Sequence, residues 1–253
     1  MIGADLPSAE SLVAAATTLE IALFGTGALI VATAVASALW ARSLNGWALG
    51  GVSFVLSQTA QVVVLFLFGP LVAALASAPL QEASRAILLS TAARRIRGDR
   101  PSAAFGLGHG AIDLLTSSLI PTLSAVIILG GIRDGSIFAG LDGDVAETVR
   151  GVAVYLAGLT PLDSALLILQ GVLMLALHAL LTAIVLRVVV RGGTRKQVAR
   201  GLLLPAAIHL PAAVARGLLL PLATSPVLIG SLLAATLVYR RGVATTTATP
   251  TDR

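Results

Sequence analysis

Long apolar runs alternate along the chain with short charged loops. Hydrocarbon side chains dominate near 21–41, 47–68, 71–93, 102–124, 163–188, 200–217 and 220–239. Each run approaches the roughly 20 residues that an α-helix needs to cross a bilayer. None shows the short period-two alternation of a barrel strand. The pattern predicts an all-α fold, a polytopic transmembrane bundle of about seven spans. Residues 1–242 are read as one transmembrane helical domain, and the polar tail 243–253, "VATTTATPTDR", as disordered. The fourth run continues to Gly131, with Pro121 marking a kink or an end. The fifth opens on "LTPLDS", with Thr160 as N-cap, Pro161 at the first helical position and Asp163 in the first turn.

Charge sits mainly between the runs and orients them. Arg42 follows the first, Arg94, Arg95, Arg97 and Arg100 follow the third, "RVVVRGGTRKQVAR" follows the fifth, and Arg240 and Arg241 follow the seventh. The opposite loops are mostly acidic, with Asp5, Glu10 and Glu20 at the start and Asp134, Asp142, Asp144 and Glu147 after the fourth run. Arg133, Arg150 and Arg216 are exceptions on that side. The excess of arginine in alternate loops predicts an outside N-terminus and a cytoplasmic C-terminus.

Composition narrows the class. The chain is 57% apolar and 11% charged, with a mean hydropathy of +0.95. A soluble domain carries about 25% charged residues. The absence of cysteine excludes disulfides, thiolate ligands and thiol nucleophiles. The net charge of +5 lies in topology-setting loops, so no nucleic-acid partner is expected. The opening "MIGADLPSAE" has acids where a signal peptide would be basic. The expected location is an integral, multi-pass protein of the plasma membrane.

Several ionisable residues break the apolar runs. Glu82 and Arg85 sit in the third, His109 and Asp113 in the fourth, His178 in the fifth and His209 in the sixth. Each costs at least ~2.5–3.5 kcal/mol to place in hydrocarbon, so such groups face the bundle interior and find partners. Glu82 and Arg85 are i, i+3, and His109 and Asp113 are i, i+4, so each pair shares a helix face. The orientation brings all of them to similar depth. Gly106, Gly108 and Gly110 around His109 permit close approach of another helix or of a substrate backbone, and Gly46, Gly50 and Gly51 permit close packing of the second span. Gln58 and Gln61 read as packing or lining residues, and Gln170 stays open.

A buried acid with several imidazoles suits hydrolysis, which needs a base for water and donors for an oxyanion. Glu82 is the candidate base, held charged by Arg85. His109 and His178 are candidates to polarise water, and His209 to donate to the oxyanion. The three histidines are also candidate metal ligands, with zinc the candidate ion, although no HExxH motif is present.

At these residues the chain resembles the YhfC family of intramembrane proteases and, more distantly, the CAAX-prenyl-protease and PrsW-like group. The resemblance spans about residues 70–215. It rests on "QEASR" from Gln81 to Arg85, "FGLGHGAID" with Phe105 four residues before His109, "LHALLTAIVL" around His178 and "AAIHLPAAV" around His209. It implies a peptidase, glutamic or metal-dependent, whose partners are the bilayer and membrane-protein or lipid-modified peptide substrates. Its catalytic set would be Glu82, His109, His178 and His209, supported by Gln81, Arg85, Phe105 and Asp113. The chain also departs from the pattern. Gln81 replaces the first acid of a pair, Gln170 and Gly171 stand where relatives carry an acidic–basic pair, Ala213 stands where they place Asp or Asn, and Asp113 is shorter than the expected Glu. Two other readings stay open: a non-catalytic scaffold or pseudoprotease that binds transmembrane segments, and a proton-coupled transporter.

Overall fold

A computed structural model describes residues 7–93, 96, 98–191, 194–218 and 221–247. Arg94, Arg95 and Arg97 of the basic loop and 248–253 of the tail lie outside the described residues. The fold is all-helical, with no strand among the described residues. The helices are α1 (Ala9–Leu39), α2 (Leu44–Phe68), α3 (Pro70–Ser90), α4 (Asp99–Leu114), α5 (Ile120–Arg133), α6 (Gly143–Ala157), α7 (Pro161–Arg191), α8 (Arg195–Leu218) and α9 (Pro221–Thr247). Among the described residues five stretches are long and apolar enough to cross a membrane: Ala9–Leu39, Leu44–Phe68, Asp99–Arg133, Pro161–Val190 and Lys196–Ala215. Large apolar side chains such as Phe24, Phe66, Leu169 and Leu203 are exposed along them, as lipid-facing surfaces require. The chain is therefore an integral membrane protein.

Local chemistry explains the boundaries. Gly69 joins α2 to α3 at φ 83°, a left-handed value that favours glycine, and Pro70 starts the next helix. At the start of α7 the Asp163 carboxylate accepts from both the Thr160 amide and its hydroxyl, at 2.8 and 2.7 Å. Where Pro121 is expected to kink or end the helix, a π-turn, Leu115–Leu119, precedes it. Proline has no N–H to offer the carbonyl of Ser117, and its ring crowds that oxygen. The chain inserts one residue, and the Ile120 amide reaches the Leu115 carbonyl instead.

Contacts divide the chain into two compact units. The first holds Met1–Ala28 and Leu114–Leu169. Its core joins Leu12, Ala15 and Leu19 of α1 to Leu129 and Ile132 of α5 and to Ala153 and Leu156 of α6. Helix α6 lies where the sequence reads as an acidic loop, and α1 begins twelve residues before the predicted span. Arg150, an exception to the charge pattern, pairs with Glu147 at 3.2 Å on the surface of α6.

The second unit holds Leu29–Asp113 and Gln170–Arg253. Within it α2 packs on α3, α3 on α8 and α8 on α9. Helix α3 buries Ser77, Gln81, Glu82, Ser84 and Arg85 together with Ala73, Ala78 and Leu89. Its polar residues therefore point inward, and it is less apolar than α2. Glycines bring α4 into backbone contact on two sides. A Cβ on Gly108 would overlap the Trp47 carbonyl, and one on Gly50 the Phe105 carbonyl. A Cβ on Gly106 would lie 2.6 Å from the His178 carbonyl oxygen. Small residues thus seat α4 directly against α2 and α7.

Candidate functional site

The second unit brings Glu82, Arg85, His109, Asp113, His178 and His209 together. All six are buried, with Arg85, His109 and His178 fully enclosed. The His109 and His178 ring centres lie 4.9 Å apart, and those of His178 and His209 5.2 Å. Four helices supply the set: α3 carries the acid and the guanidinium, α4 His109 and Asp113, α7 His178, and α8 His209. The sequence predicts this convergence from cost alone, since an ion in hydrocarbon needs company.

Hydrogen bonds assign the ring tautomers. The Arg85 guanidinium bonds the Glu82 Oε1 atom at 2.5 Å and also reaches His178 Nδ1. A guanidinium only donates, so Nδ1 of His178 accepts and its Nε2–H donates to Asp113 Oδ2 at 2.9 Å. Glu82 Oε1 is also 2.9 Å from His209 Nδ1. A carboxylate only accepts, so His209 donates from Nδ1, and the neutral ring keeps its lone pair on Nε2. Glu82 Oε2 is buried without a hydrogen-bond partner. One oxygen of the carboxylate is thus clamped by two donors while the other stays available.

His109 belongs to a second, neutral network. Its Nε2 lies 3.1 Å from Gln81 Oε1 and its Nδ1 3.3 Å from Ser53 Oγ. Ser53 Oγ is 3.0 Å from Ser84 Oγ, which donates to the Gln81 carbonyl at 2.8 Å. Phe54 packs edge-on against the His109 ring, with centres 5.3 Å apart. Gln81 therefore holds a histidine in place. Ser53, Ser84 and Phe54 are not singled out by the sequence, where two serines and a phenylalanine in apolar spans carry no distinctive signal. Phe105 lies behind the site in the α3–α4–α7 core with Leu89 and Val185. Gln170 stands outside these contacts and donates to Ser225 at 3.1 Å. Gln58 and Gln61 are half-buried.

The zinc expectation meets a geometric obstacle. A zinc site needs three or four donors converging at ~2.0–2.2 Å. Among the described residues no group of three His, Asp or Glu side chains is arranged to hold a metal ion. The bonds above supply the reason: both nitrogens of His109, both of His178 and Nδ1 of His209 face protein partners. Arg85 stands among them where a bound cation would compete with its charge. The donor types suit a metal, but their arrangement does not.

Neither a curated protein nor a solved structure matches the chain. A family model does: the one described as YhfC intramembrane metalloprotease matches residues 13–224, which include every helix that contributes to the buried cluster. With most of its length so matched, the chain belongs to the YhfC intramembrane metalloprotease family.

Proposed function

We propose that the protein hydrolyses peptide bonds of membrane-embedded or lipid-modified substrates at the Glu82 site. The observation that carries this reading is the split carboxylate of Glu82, with Oε1 clamped by Arg85 and His209 and Oε2 buried and unpartnered. Peptide hydrolysis requires a water to lose a proton as it attacks the carbonyl, and the leaving amine to gain one. Glu82 Oε2 takes the water's proton and returns it to the amine nitrogen. Arg85 keeps the carboxylate charged before the step. His209 is oriented by Glu82 through its Nδ1–H and stands beside the reacting carboxylate. His178 is a positioning residue, bound between Asp113 and Arg85, and His109 stands beside it, held by the Gln81–Ser53 network.

The family's description implies a metal ion. Because the donors are engaged as described, no step here is routed through one. The membrane topology that fits this reading has seven spans, with α3 and α9 crossing alongside the five more apolar stretches, an outside N-terminus and a cytoplasmic C-terminus in the plasma membrane. Residues 1–242 then form one transmembrane domain.

The test is a cleavage assay on purified protein in lipid, using candidate transmembrane peptides, with metal content measured on the same sample. Glu82→Gln should lower turnover by at least ~10²-fold, the lower range for loss of a general base, while still accumulating in the membrane. Equal turnover by the two proteins refutes the assignment. A stoichiometric metal whose removal abolishes turnover would require the imidazoles to leave their present partners. Gln81, an amide where the family pattern carries an acid, favours a second reading: a pseudoprotease that captures transmembrane segments. In that case wild type and Glu82→Gln retain the same peptides and neither cuts them.

A further inference from the structure

Two grooves flank α8 in the second unit, and their linings differ. One, of about 380 Å³, is lined by Ala83, Ala86, Ile87, Val189 and Leu202 among other residues, none of them ionisable. The other, of about 290 Å³, lies between α7, α8 and α9 and adds two arginines, Arg187 and Arg200, to Val188, Leu204 and Val238. Lipid-facing surfaces need no cations, and arginine is costly at membrane depth.

The two arginines differ in how they are held. The Arg187 guanidinium donates to the Tyr239 carbonyl at 2.8 Å and lies 3.9 Å from the centre of that residue's ring. The Asp99 carboxylate interacts electrostatically with the same tyrosine. Arg200 is exposed, one turn into α8, and Lys196 is exposed four residues before it on the same helix face. Local charge is therefore net positive even with Asp99 included. Arginine presents a fork of donors that matches phosphate oxygens, and basic pockets between transmembrane helices hold anionic headgroups. An apolar groove carrying two such forks is complementary to a molecule with an anionic head and hydrocarbon tails.

We propose that the α7–α8–α9 groove binds an anionic phospholipid, with Arg187 and Arg200 contacting its phosphate and Val188, Leu204 and Val238 lying against its acyl chains. The site rests on the protein's residence in a membrane and is independent of the protease reading. Such a lipid would fasten the end of α8, the helix that carries His209.

The experiment is a lipid titration of the purified full chain in neutral detergent, followed by native mass spectrometry. Phosphatidylglycerol and phosphatidylcholine of equal chain length are compared, with glycerol phosphate as the headgroup alone. Wild type should bind phosphatidylglycerol at least ten-fold tighter than phosphatidylcholine and glycerol phosphate not measurably. Each arginine near the headgroup contributes about five-fold in affinity. Arg200→Gln should therefore weaken phosphatidylglycerol about five-fold, and the Arg187→Gln/Arg200→Gln pair about 25-fold. Arg42→Gln, at an exposed arginine outside the groove, should change nothing. Leu204→Trp, which fills the groove and keeps both charges, should weaken both lipids. Equal affinity for the two lipids, an Arg200→Gln result matching Arg42→Gln, or competition by glycerol phosphate as strong as by the lipid overturns the proposal. Arg200 and Leu204 are exposed, so these variants test the site even if loss of the Arg187–Tyr239 contact impairs folding.

Discussion

Consider Arg85→Met, which removes one charge from the buried cluster and leaves the side-chain volume nearly unchanged. Arg85 and Glu82 are 0% and 1% exposed, and their contact is 2.5 Å. Removing one partner of a buried ion pair costs about 3–5 kcal/mol, because the remaining charge stays desolvated. For a chain of this size each kcal/mol lowers the melting temperature by about 2–4 °C, so the expected loss is ~6–20 °C. Glu82→Gln should cost a similar amount by stranding the guanidinium. The informative variant is the double, Glu82→Gln/Arg85→Met, which removes both charges and leaves the glutamine oxygen to accept from His209. Replacing both members of a buried pair is often neutral or better, so the double variant should recover at least ~2 kcal/mol relative to the sum of the singles. Thermal unfolding in detergent, followed by the fluorescence of Trp40 and Trp47, reads all four proteins. Additive losses, with the double variant less stable than either single, would refute the view that Glu82 and Arg85 are mutually compensating buried charges. Activity should stay lost in the double variant, which separates the stability role from the chemical one.

Four other outcomes follow from named contacts. Gly108→Ala forces a methyl group onto the Trp47 carbonyl and should destabilise by about 1–3 kcal/mol or more, whereas Gly130→Ala, with nothing within 4 Å of its Cβ position, should be neutral or gain up to ~1 kcal/mol; melting curves compare them. Asp113→Leu strands the His178 Nε2–H and should cost about 1–3 kcal/mol, while Asp113→Asn keeps an acceptor and most of the stability, as denaturation of the two variants will show. Asp163→Ala removes both bonds to Thr160 and should cost about 1 kcal/mol by the same measurement. The chain has no cysteine, so single cysteines report topology cleanly: in intact cells an impermeant thiol reagent should label Ser136→Cys and spare Ser43→Cys and Thr194→Cys, and the opposite pattern would invert the proposed orientation.

What the sequence made legible follows from relative cost. Glu82, Arg85, Asp113 and the three histidines stood out because each is expensive in an apolar run, and the same expense drives them together. Helix α6 was hidden because "GDVAETVRGVAVYLA" mixes charges with apolar residues in a loop-rich region, and its core role appears only where Ala153 and Leu156 meet Leu12 and Leu129. Pro121 announced a disturbance, but not that a π-turn would absorb it. The metal question shows the limit most clearly. Residue spacing predicts which helix an imidazole sits on and at what depth, and those expectations agree with a cluster whose ring centres are about 5 Å apart. It says nothing of ring rotation, and lone-pair direction decides between a ligand and a hydrogen-bonded support. Here Arg85 makes that decision for His178, because a group that can only donate compels Nδ1 to accept and turns Nε2–H toward Asp113. Ser53 and Gln81 hold His109 by weaker, neutral bonds, and the Gln81 amide oxygen, which only accepts, takes the Nε2–H. If a metal does enter this site, His178 is consequently the costliest imidazole to recruit, and His209, which keeps its Nδ1–H on Glu82 and its lone pair on Nε2, the least costly.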